Sequence, residues 1–390
     1  MRKFLKLLII YTMLLITVVF QSSKILVNIK AEDDFLSLNS SACYLIEEKS
    51  GHVLYKENEE AKLYPASMTK MMGLLLVCEA LKNGAIQLDD MTYISSDASK
   101  MGGSQVFLEA NEQMSINDLL KCVCIASAND AMYALSEVVA STNENFIKMM
   151  NQKAHELKLV NTHFVNVTGF DDENHYTCAK DMALIAKELL IYKDIILPYT
   201  SIYDTYIRQE SNNPFWLVNT NKLIKYYHGM DGLKTGYTHK AGYNLTSTAK
   251  RNGVRLICVV MNEPSIEERS KDTTTLLNYG FSLLKEKVLF NEGETIKQIN
   301  FNAFKKDTIP LIVKEDIKIY LYHDENENDI SINLNFKQIQ YPILQGDEIA
   351  ILTIITSKNI KFEYPVYAAK DIKQTTYLDI LLYNLSIIFK

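Results

Sequence analysis

The sequence predicts an α/β catalytic domain, a small all-β domain and a C-terminal amphipathic helix, behind an N-terminal export segment. Three observations support this division. Strand patterns stand at both ends of residues 32–290 with helical patterns between them, short β-type runs separated by polar turns fill residues 291–370, and a mostly apolar helical pattern occupies residues 371–390. We therefore expect a signal peptide at 1–31, the catalytic domain at 32–290, the β-domain at 291–370 and the helix at 371–390.

The composition fits folded domains and excludes several classes of protein. The chain has 390 residues, of which 47% are hydrophobic, with only 14 Gly and 7 Pro. These values exclude a collagen-like or wholly disordered chain. With 41 basic and 47 acidic residues the net charge is −6. Nucleic acid is therefore not an expected partner, since binding it requires a basic surface.

The first 31 residues have the pattern of a signal peptide. Arg2, Lys3 and Lys6 precede an apolar run over 7–20, which is short for a membrane span and suits the core of a signal peptide. Cleavage after Ala31 is expected, and an uncleaved N-terminal anchor is the alternative. In both cases the body of the protein is exported.

Local patterns predict the remaining elements in order. Two strands, 42–47 and 52–56, form a hairpin about Lys49-Ser50-Gly51. The strands at the two ends of the catalytic domain are expected to share one sheet. Helices are predicted at 67–81, 129–140, 144–157, 180–190 and 265–287, a second hairpin at 242–250 and 254–260, and β-domain strands at 309–313, 317–322, 330–336 and 348–355.

The cysteines and histidines predict neither a disulfide framework nor a metal site. The six cysteines are scattered over a large chain without a CxxC motif, so buried free thiols are expected. The seven histidines form no HxxxH or HExxH motif, so no zinc ligand set is predicted. The cysteines lie at 43, 78, 122, 124, 178 and 258.

Three short motifs carry the predicted chemistry. Residues 67–70 read SMTK, 127–129 read SAN and 234–236 read KTG, in the order of the SxxK, SxN and KTG motifs of penicillin-binding proteins and serine β-lactamases. Each motif is short enough to recur by chance. SxxK also fits 247–250, predicted as strand, and 282–285, predicted as the interior of a helix.

The first motif pairs a nucleophile with a base. Ser67 follows Pro65 at the start of an apolar helix, and the i, i+3 spacing puts Ser67 and Lys70 on one helical face. A hydroxyl needs a base to become nucleophilic, and a lysine can be that base when burial lowers its pKa. Free N–H groups at a helix start can also stabilise an oxyanion.

The second and third motifs supply binding groups. Ser127 lies between two helical patterns and is a candidate proton relay, while Asn129 can hydrogen-bond a substrate amide or, alternatively, cap a helix. Lys234 and Thr235 offer a positive charge and a hydroxyl to a terminal carboxylate, and Gly236 allows close backbone approach. A simple turn before a strand is the alternative for this third motif.

The sequence around these motifs resembles the D-alanyl-D-alanine carboxypeptidases, which are low-molecular-mass penicillin-binding serine peptidases. The resemblance covers nearly the whole exported chain. It implies a serine β-lactamase/transpeptidase-like catalytic fold that needs no metal or organic cofactor. The matching segments read YPASMTK (64–70), ASANDAM (126–132), FVNVTGFDDENHYT (164–177) and DGLKTGYTHKAGYNLTSTAKRNGVRLICVVM (231–261).

The resemblance also implies a reaction, acyl transfer from a peptidoglycan stem peptide that ends in D-Ala-D-Ala. Ser67 would attack the carbonyl of the penultimate D-Ala, the terminal D-Ala would leave, and water would hydrolyse the acyl-enzyme. Penicillin would acylate the same serine. By the same resemblance Lys70 is the base, Ser127 and Asn129 form the second element, Lys234, Thr235 and Gly236 form the third, and the backbone N–H groups of Ser67 and Tyr237 form the oxyanion hole.

The sequence departs from the family pattern at two positions. Ala128 is the middle residue of the SxN motif, and Cys178 stands where many relatives carry a small hydroxyl residue. Neither change removes a catalytic group. The segment 164–178 is therefore the part of the site whose role the sequence defines least.

Alternative functions differ in how many of these features they explain. A class A β-lactamase shares the three motifs, but no E-x-x-L-N pattern lies between Asn129 and Lys234 and the extra β-domain argues against it. A transpeptidase or endopeptidase differs only in the acceptor or in the bond cleaved. A catalytically silent wall scaffold is the alternative from another class, and the intact Ser67 and Lys70 argue against it.

The last residues predict a peripheral membrane anchor. Residues 375–390 are mostly apolar, with one narrow polar stripe on a helical wheel. Sixteen helical residues reach about 24 Å, less than the roughly 30 Å hydrocarbon core, so a helix lying in the interface is favoured over a span. A helix docked on the β-domain is the alternative. The expected location is the outer face of the cytoplasmic membrane.

Overall fold

The computed structural model describes residues 36–209, 214–300, 308–338, 342–371 and 377–388. The predicted signal peptide lies outside the described residues. From Asn39 onward the chain forms one compact unit. Its first part contains β1 (Ala42–Glu47), β2 (Val53–Glu57), a 3₁₀ turn (Ala66–Thr69), α1 (Lys70–Lys82), β3 (Met91–Tyr93), α2 (Ser96–Ser99), β4 (Gln113–Ser115), α3 (Ile116–Ala126), α4 (Asn129–Ala140) and α5 (Asn143–Glu156).

The second half of the catalytic part returns to the sheet, and the β-domain follows it. The catalytic elements are α6 (Ala179–Leu189), a 3₁₀ turn (Leu190–Tyr192), α7 (Lys193–Thr200), β5 (Asp204–Ile207), β6 (Phe215–Val218), α8 (Leu223–Tyr226), β7 (Met230–Thr238), β8 (Gly242–Arg251), β9 (Val254–Glu263) and α9 (Ile266–Ser282). The later elements are β10 (Leu284–Phe290), β11 (Thr295–Asn300), β12 (Thr308–Ile312), β13 (Ile317–Tyr322), a 3₁₀ turn (Glu327–Asp329), β14 (Ser331–Phe336), β15 (Glu348–Ile355), β16 (Lys361–Ala368) and α10 (Tyr377–Ile388).

One five-stranded antiparallel sheet organises the catalytic part, in the order β2-β1-β9-β8-β7. The first strand pairs with the last, Ala42 with Met261 and Glu47 with Leu256, so the prediction that the two ends share a sheet is confirmed. Since β7 lies at an edge of this sheet, one side of its backbone is open to a ligand strand.

Helix α1 is the centre of the core. Ten of its 13 residues are buried, so the helix is apolar around most of its circumference. It packs against α4, α5, α6 and β7. A helix enclosed in this way cannot move easily, and it fixes the position of Lys70 at its first turn.

The prediction of a helix over 265–287 is wrong beyond Ser282. Helix α9 ends there, and Leu284–Phe290 forms β10, which pairs with β13. The sequence LKEKVLF has no clear strand periodicity, and antiparallel pairing with β13 determines the strand. Ser282 and Lys285 therefore do not share a helix. This SxxK match is excluded as a serine–lysine pair because the helix ends at Ser282, and not because it lies inside a helix as predicted.

The β-domain contains a second antiparallel sheet, in the order β11-β12-β16-β15-β14. The four predicted strands are present, while β10, β11 and β16 were not predicted. This domain contacts the β1–β2 hairpin of the catalytic part. Lys49 Nζ donates to the Lys361 carbonyl at 2.8 Å, and Lys358 Nζ lies 2.8 Å from His52 Nε2.

The C-terminal helix runs over Tyr377–Ile388. Of the predicted helical segment, residues 372–376 and 389–390 lie outside the described residues. Among the helices that the structure describes, none is both long and apolar enough to cross a bilayer. The six cysteines are buried and free, as predicted.

Candidate active site

The first motif forms a tight turn that enters α1. Ala66 has a positive φ of 47°, and the 3₁₀ turn over Ala66–Thr69 precedes the helix proper, so Ser67 lies one turn before the α-helix that was predicted to begin with it. Two glycines let neighbouring backbone approach this turn. A Cβ on Gly169 would lie 1.8 Å from the Ala66 oxygen, and one on Gly236 would lie 2.6 Å from the Pro65 oxygen. The turn is therefore clamped on both sides.

Ser67 and Lys70 are in direct contact. Lys70 Nζ lies 2.7 Å from Ser67 Oγ and donates to the Thr168 carbonyl at 2.9 Å. The lysine side chain is completely buried. Burial, and then the nearby charge of Lys234, hold the pKa of Lys70 well below its usual value. The amine is therefore suited to accept a proton from the serine hydroxyl.

A second serine–lysine pair stands beside the first. Ser127 has a left-handed backbone with φ 63° at the end of α3. Lys234 Nζ donates to Ser127 Oγ at 2.7 Å and to the Thr235 carbonyl at 3.1 Å. Burial lowers the pKa of Lys234 to about 7, with a further contribution from the positive charge of Arg269. In both serine–lysine pairs the amine is buried, and burial lowers its pKa and favours its neutral form.

Asn129 is not the helix cap that was the alternative interpretation, because Ala128 occupies the N-cap position. Its Nδ2 donates to the Gly102 carbonyl at 2.7 Å. Its Oδ1 is buried and has no hydrogen-bond donor among the described residues. A buried acceptor without a partner is costly in the free protein, so this oxygen is suited to accept an N–H group from a ligand.

The third motif lies inside strand β7 rather than in a turn before a strand. Thr235 Oγ1 is 2.6 Å from Thr220 Oγ1, and Tyr237 stacks on Tyr243 with ring centroids 4.3 Å apart. The close contact of Gly236 is with the Pro65–Met68 backbone. The motif therefore joins the edge strand of the sheet to the turn over Ala66–Thr69, which we call the nucleophile turn after the predicted role of Ser67.

These elements surround a cleft of about 510 Å³. Lys70, Asn129 and Lys234 are not among the lining residues, while Arg269, which the sequence analysis did not select, is one of them. Arg269 comes from α9, which packs against β8 and β9. The lining residues are Ser67, Ser104, Ser127, Val218, Thr220, Lys222, Thr235, Gly236, Tyr237, Tyr243, Ile266 and Arg269.

Segment 164–178 contacts the nucleophile turn and the first residue of α1 through hydrogen bonds to Thr69 and Lys70. His175 Nδ1 accepts from the Val165 N–H at 3.1 Å, which leaves Nε2–H to donate to Thr69 Oγ1 at 2.7 Å. Asn166 Oδ1 accepts from the N–H groups of residues 168–170 and so shapes the turn that presents the Thr168 carbonyl to Lys70. Sequence spacing gave no signal for the contacts of this segment with Thr69 and Lys70, because they join positions about 100 residues apart.

Cys178 caps α6. Its Sγ accepts from the Asp181 N–H at 3.5 Å, which is the N-cap interaction that a serine or threonine hydroxyl makes more strongly. The departure from the family pattern therefore weakens a helix cap and leaves the cleft unchanged. In the part of the chain that the structure describes, no group of three or more His, Cys, Asp and Glu side chains is arranged to hold a metal ion.

Comparison with known proteins gives consistent matches over most of the chain. The family model described as D-alanyl-D-alanine carboxypeptidase matches residues 28–265, and the one described as Penicillin-binding protein 5, C-terminal domain, matches residues 285–374. The D-alanyl-D-alanine carboxypeptidase DacF of Bacillus subtilis is 41% identical over 347 residues, which cover 89% of this chain and 89% of that relative.

Solved structures give the same result. Penicillin binding protein 5 from Haemophilus influenzae is similar with a TM-score of 0.63 and 28% identity, over 87% of this chain and 99% of that one. Penicillin-Binding Protein D2 from Listeria monocytogenes, in a cefotaxime-bound form, is similar with a TM-score of 0.57 and 29% identity, over 63% of this chain and 98% of that one. The first similarity extends over both the catalytic sheet and the β-domain.

Proposed function

This chain belongs to the D-alanyl-D-alanine carboxypeptidase family, and on that premise we propose which of its residues carry out each step of the reaction. It is a serine-type carboxypeptidase that removes the terminal D-Ala from peptidoglycan stem peptides and is acylated by β-lactams. The observation that carries the residue assignment is the 2.7 Å contact between Ser67 Oγ and the buried Lys70 Nζ.

Acylation starts with transfer of the Ser67 hydroxyl proton to Lys70. Burial disfavours the ammonium form of Lys70, so the neutral amine is available as the base. Ser67 Oγ then attacks the carbonyl carbon of the penultimate D-Ala. The negative charge that develops on the carbonyl oxygen is stabilised by the backbone N–H groups of Ser67 and Tyr237.

Collapse of the tetrahedral intermediate breaks the C–N bond, and the departing D-Ala needs a proton on its nitrogen. Ser127 Oγ is the donor in this proposal, and Lys234 Nζ, which donates to it at 2.7 Å, replaces the proton. One proton leaves Ser67 and one reaches the amine, so the charge of the site is unchanged. Lys70 now carries the proton from Ser67 and Lys234 has lost one, so transfer of a proton from Lys70 to Lys234 restores the starting state of both amines. Water then attacks the acyl-enzyme, with the neutral Lys70 as its base.

Substrate binding uses the edge strand and the cations beside it. The extended peptide adds to β7, while Asn129 Oδ1 accepts a peptide N–H. The terminal carboxylate meets Thr235 Oγ1, the charge of Lys234 and the guanidinium of Arg269, which lines the cleft. Gly236 keeps the strand close to the nucleophile turn.

The cellular location follows from the substrate, because peptidoglycan lies outside the cytoplasmic membrane. The predicted signal peptide over 1–31 supports export, and the predicted apolar helix over 371–390 supports peripheral attachment to the outer face of the membrane. We retain 32–290 as the catalytic domain and 291–370 as the β-domain in this proposal.

One assay tests the assignment directly. The chain from residue 32 is incubated with a peptide ending in D-Ala-D-Ala, and free D-Ala is measured over time. We expect release by the native protein and none by Ser67→Ala, whose fold is checked by thermal unfolding. Release by Ser67→Ala at the native rate would exclude Ser67 as the nucleophile.

A further inference from the structure

Three ionisable side chains are buried together behind the cleft wall that carries Arg269. Glu263 ends β9 and is 1% exposed, and Arg269 and Asp272 lie on α9 and are 4% and 0% exposed. Only Arg269 reaches the cleft. Buried charged groups of this kind are costly unless each is paired, so their hydrogen bonds need to be followed atom by atom.

The hydrogen bonds in this cluster do not balance if both carboxyl groups are ionised. Asp272 Oδ2 accepts the backbone N–H groups of Asn39 and Ser40. Asp272 Oδ1 and both oxygens of Glu263 are buried with no donor among the described residues, and Arg269 Nε has no acceptor there. Three buried carboxylate oxygens therefore lack a proton to accept.

One additional proton resolves most of this imbalance. The side chains of Glu263 and Asp272 are within hydrogen-bonding reach of each other. A proton on Glu263 gives Asp272 Oδ1 its donor and removes the repulsion between two adjacent carboxylates. Asp272 keeps the negative charge, because its other oxygen accepts two backbone N–H groups. In agreement, burial and the neighbouring Asp272 raise the pKa of Glu263 to about 8.

We propose that Glu263 is a positioning residue for substrate binding: Asp272 holds it protonated, and in this neutral form it leaves the Arg269 guanidinium free to bind the terminal carboxylate of the substrate. Ionised Glu263 would instead form an internal ion pair with Arg269 and compete with the substrate for it. This inference rests on the function proposed above, and it adds a group outside the cleft that controls affinity.

Other ionisable groups around Glu263 do not supply the missing proton. From α9 it faces Glu268 in addition to Arg269 and Asp272, and the Lys271 ammonium also interacts with it. Tyr243 of β8 is paired with Glu263 in the sheet. Cys43 of β1 and Cys258 of β9 interact with Glu263 from the core. Burial raises the pKa values of these two thiols and of Tyr243, so all three stay neutral near pH 8.

The test is a pH profile of KM and kcat for a peptide that ends in D-Ala-D-Ala, measured for the native protein and for Glu263→Gln. At pH 9 about nine tenths of Glu263 would be ionised. Ionisation of Glu263 should therefore raise the native KM by a factor of about ten over its value with neutral Glu263. Glu263→Gln stays neutral and should lack that factor, with kcat much less affected. Lys234 titrates in both proteins, so the comparison isolates Glu263.

Two further variants make the test specific. Glu267→Gln makes the same change at an exposed position of α9 whose charge also acts on Arg269, and it should keep the native rise of KM with pH. Asp272→Asn removes the neighbouring negative charge, so Glu263 should ionise and KM should be several-fold higher already at pH 7. In the double variant with Glu263→Gln, KM should return toward the native value.

A KM profile of Glu263→Gln that rises with pH like the native one would overturn the proposal. A measurement on the native protein guards against misfolding of the variants: its infrared spectrum should contain the carbonyl band of one buried carboxylic acid that disappears near pH 8. Absence of that band at pH 7 would also overturn the proposal. If the native protein released no D-Ala at any pH, the proposed function would fail instead, while the infrared result would be unaffected.

Discussion

At the scale of single residues, the site depends on two buried lysines close enough to influence each other. The charge of Lys234 helps to lower the pKa of Lys70, so the lysine that we propose as carboxylate binder also prepares the proposed base. Both contact serine hydroxyls at 2.7 Å. An arrangement of this kind is sensitive to removal of either amine.

Removal of the nucleophile or of its base should therefore have different consequences. Ser67→Ala should form no penicilloyl adduct, while Lys70→Ala should still acylate, slower by roughly 10³-fold or more, because an unactivated hydroxyl remains. Intact mass spectrometry after incubation with penicillin measures both. Ser282→Ala, in the SxxK match at 282–285, is the matched control and should acylate at the native rate. Near-native acylation of Lys70→Ala at neutral pH would mean that another group is the base.

Lys234→Ala should weaken substrates that end in a free carboxylate more than those with an amidated end. The expected loss in kcat/KM is roughly 10–100-fold larger for the carboxylate, since only it loses a charge-assisted contact. Loss of the Lys234–Ser127 hydrogen bond should lower kcat/KM equally for the two peptides, so it does not affect their ratio. Equal losses for the two peptides would exclude Lys234 as a carboxylate anchor.

His175 makes the stability of the site depend on pH. Burial lowers its pKa from 6.5 to about 4, so between these values the unfolded chain binds more protons than the folded one. The contribution of His175 to the free energy of unfolding is therefore greatest above pH 6.5. It falls as the pH drops toward 4, by about 3 kcal/mol in total. His175→Gln should be less stable at pH 7 but should lose less on acidification. Urea unfolding at pH 7 and pH 4.5 measures this difference, and equal pH dependence would contradict it.

At the scale of elements, two glycines hold the loop 164–178 and strand β7 against the nucleophile turn. Gly169→Ala would put a Cβ 1.8 Å from the Ala66 oxygen and should lower the acylation rate by at least tenfold, because the turn must move. Gly84→Ala is the matched control. Its φ of 76° imposes similar backbone strain, yet no atom lies within 4 Å of the added Cβ. If both variants lost activity equally, backbone strain rather than the contact would be responsible.

The elements also separate what sequence patterns could predict from what they could not. The pairing of Ser67 with Lys70 was predictable, because a spacing of three in a helical turn brings two side chains together. Arg269 and His175 were missed since their contacts with the cleft and with Thr69 depend on tertiary packing. The helix predicted over 265–287 failed after Ser282 for the same reason, because pairing with β13 determines the structure there.

At the scale of the whole molecule, the β-domain is tied to the β1–β2 hairpin, which lies at the sheet edge opposite β7. Lys358 contacts His52 and forms an ion pair with Asp324 at 2.7 Å, and Lys49 reaches the backbone at Lys361. These contacts leave open the β7 edge of the sheet, where we propose that the substrate binds. The β-domain is therefore suited to be a spacer between the catalytic part and whatever the C-terminal helix binds.

The final prediction concerns that helix. Tyr377, Leu378, Leu381 and Leu385 of α10 are between 39% and 84% exposed, which is costly in water and favourable in a lipid interface. The 12 residues of α10 span about 18 Å, too short for a bilayer core of roughly 30 Å. Since binding would rest on apolar burial, high salt should not release the mature protein from liposomes, and deletion of 371–390 should release it with carboxypeptidase activity retained.

Flotation with liposomes measures both outcomes, and a point variant separates the apolar face from the rest of the deleted segment. Replacing Leu378 and Leu381 together by Asp should detach the protein, because each charge would have to enter the acyl region at a cost of roughly 2–3 kcal/mol. Leu344→Asp, at a position 53% exposed in the β-domain, is the control and should still float. Release by salt, or flotation of the deletion variant, would leave docking on the β-domain as the better account of this helix.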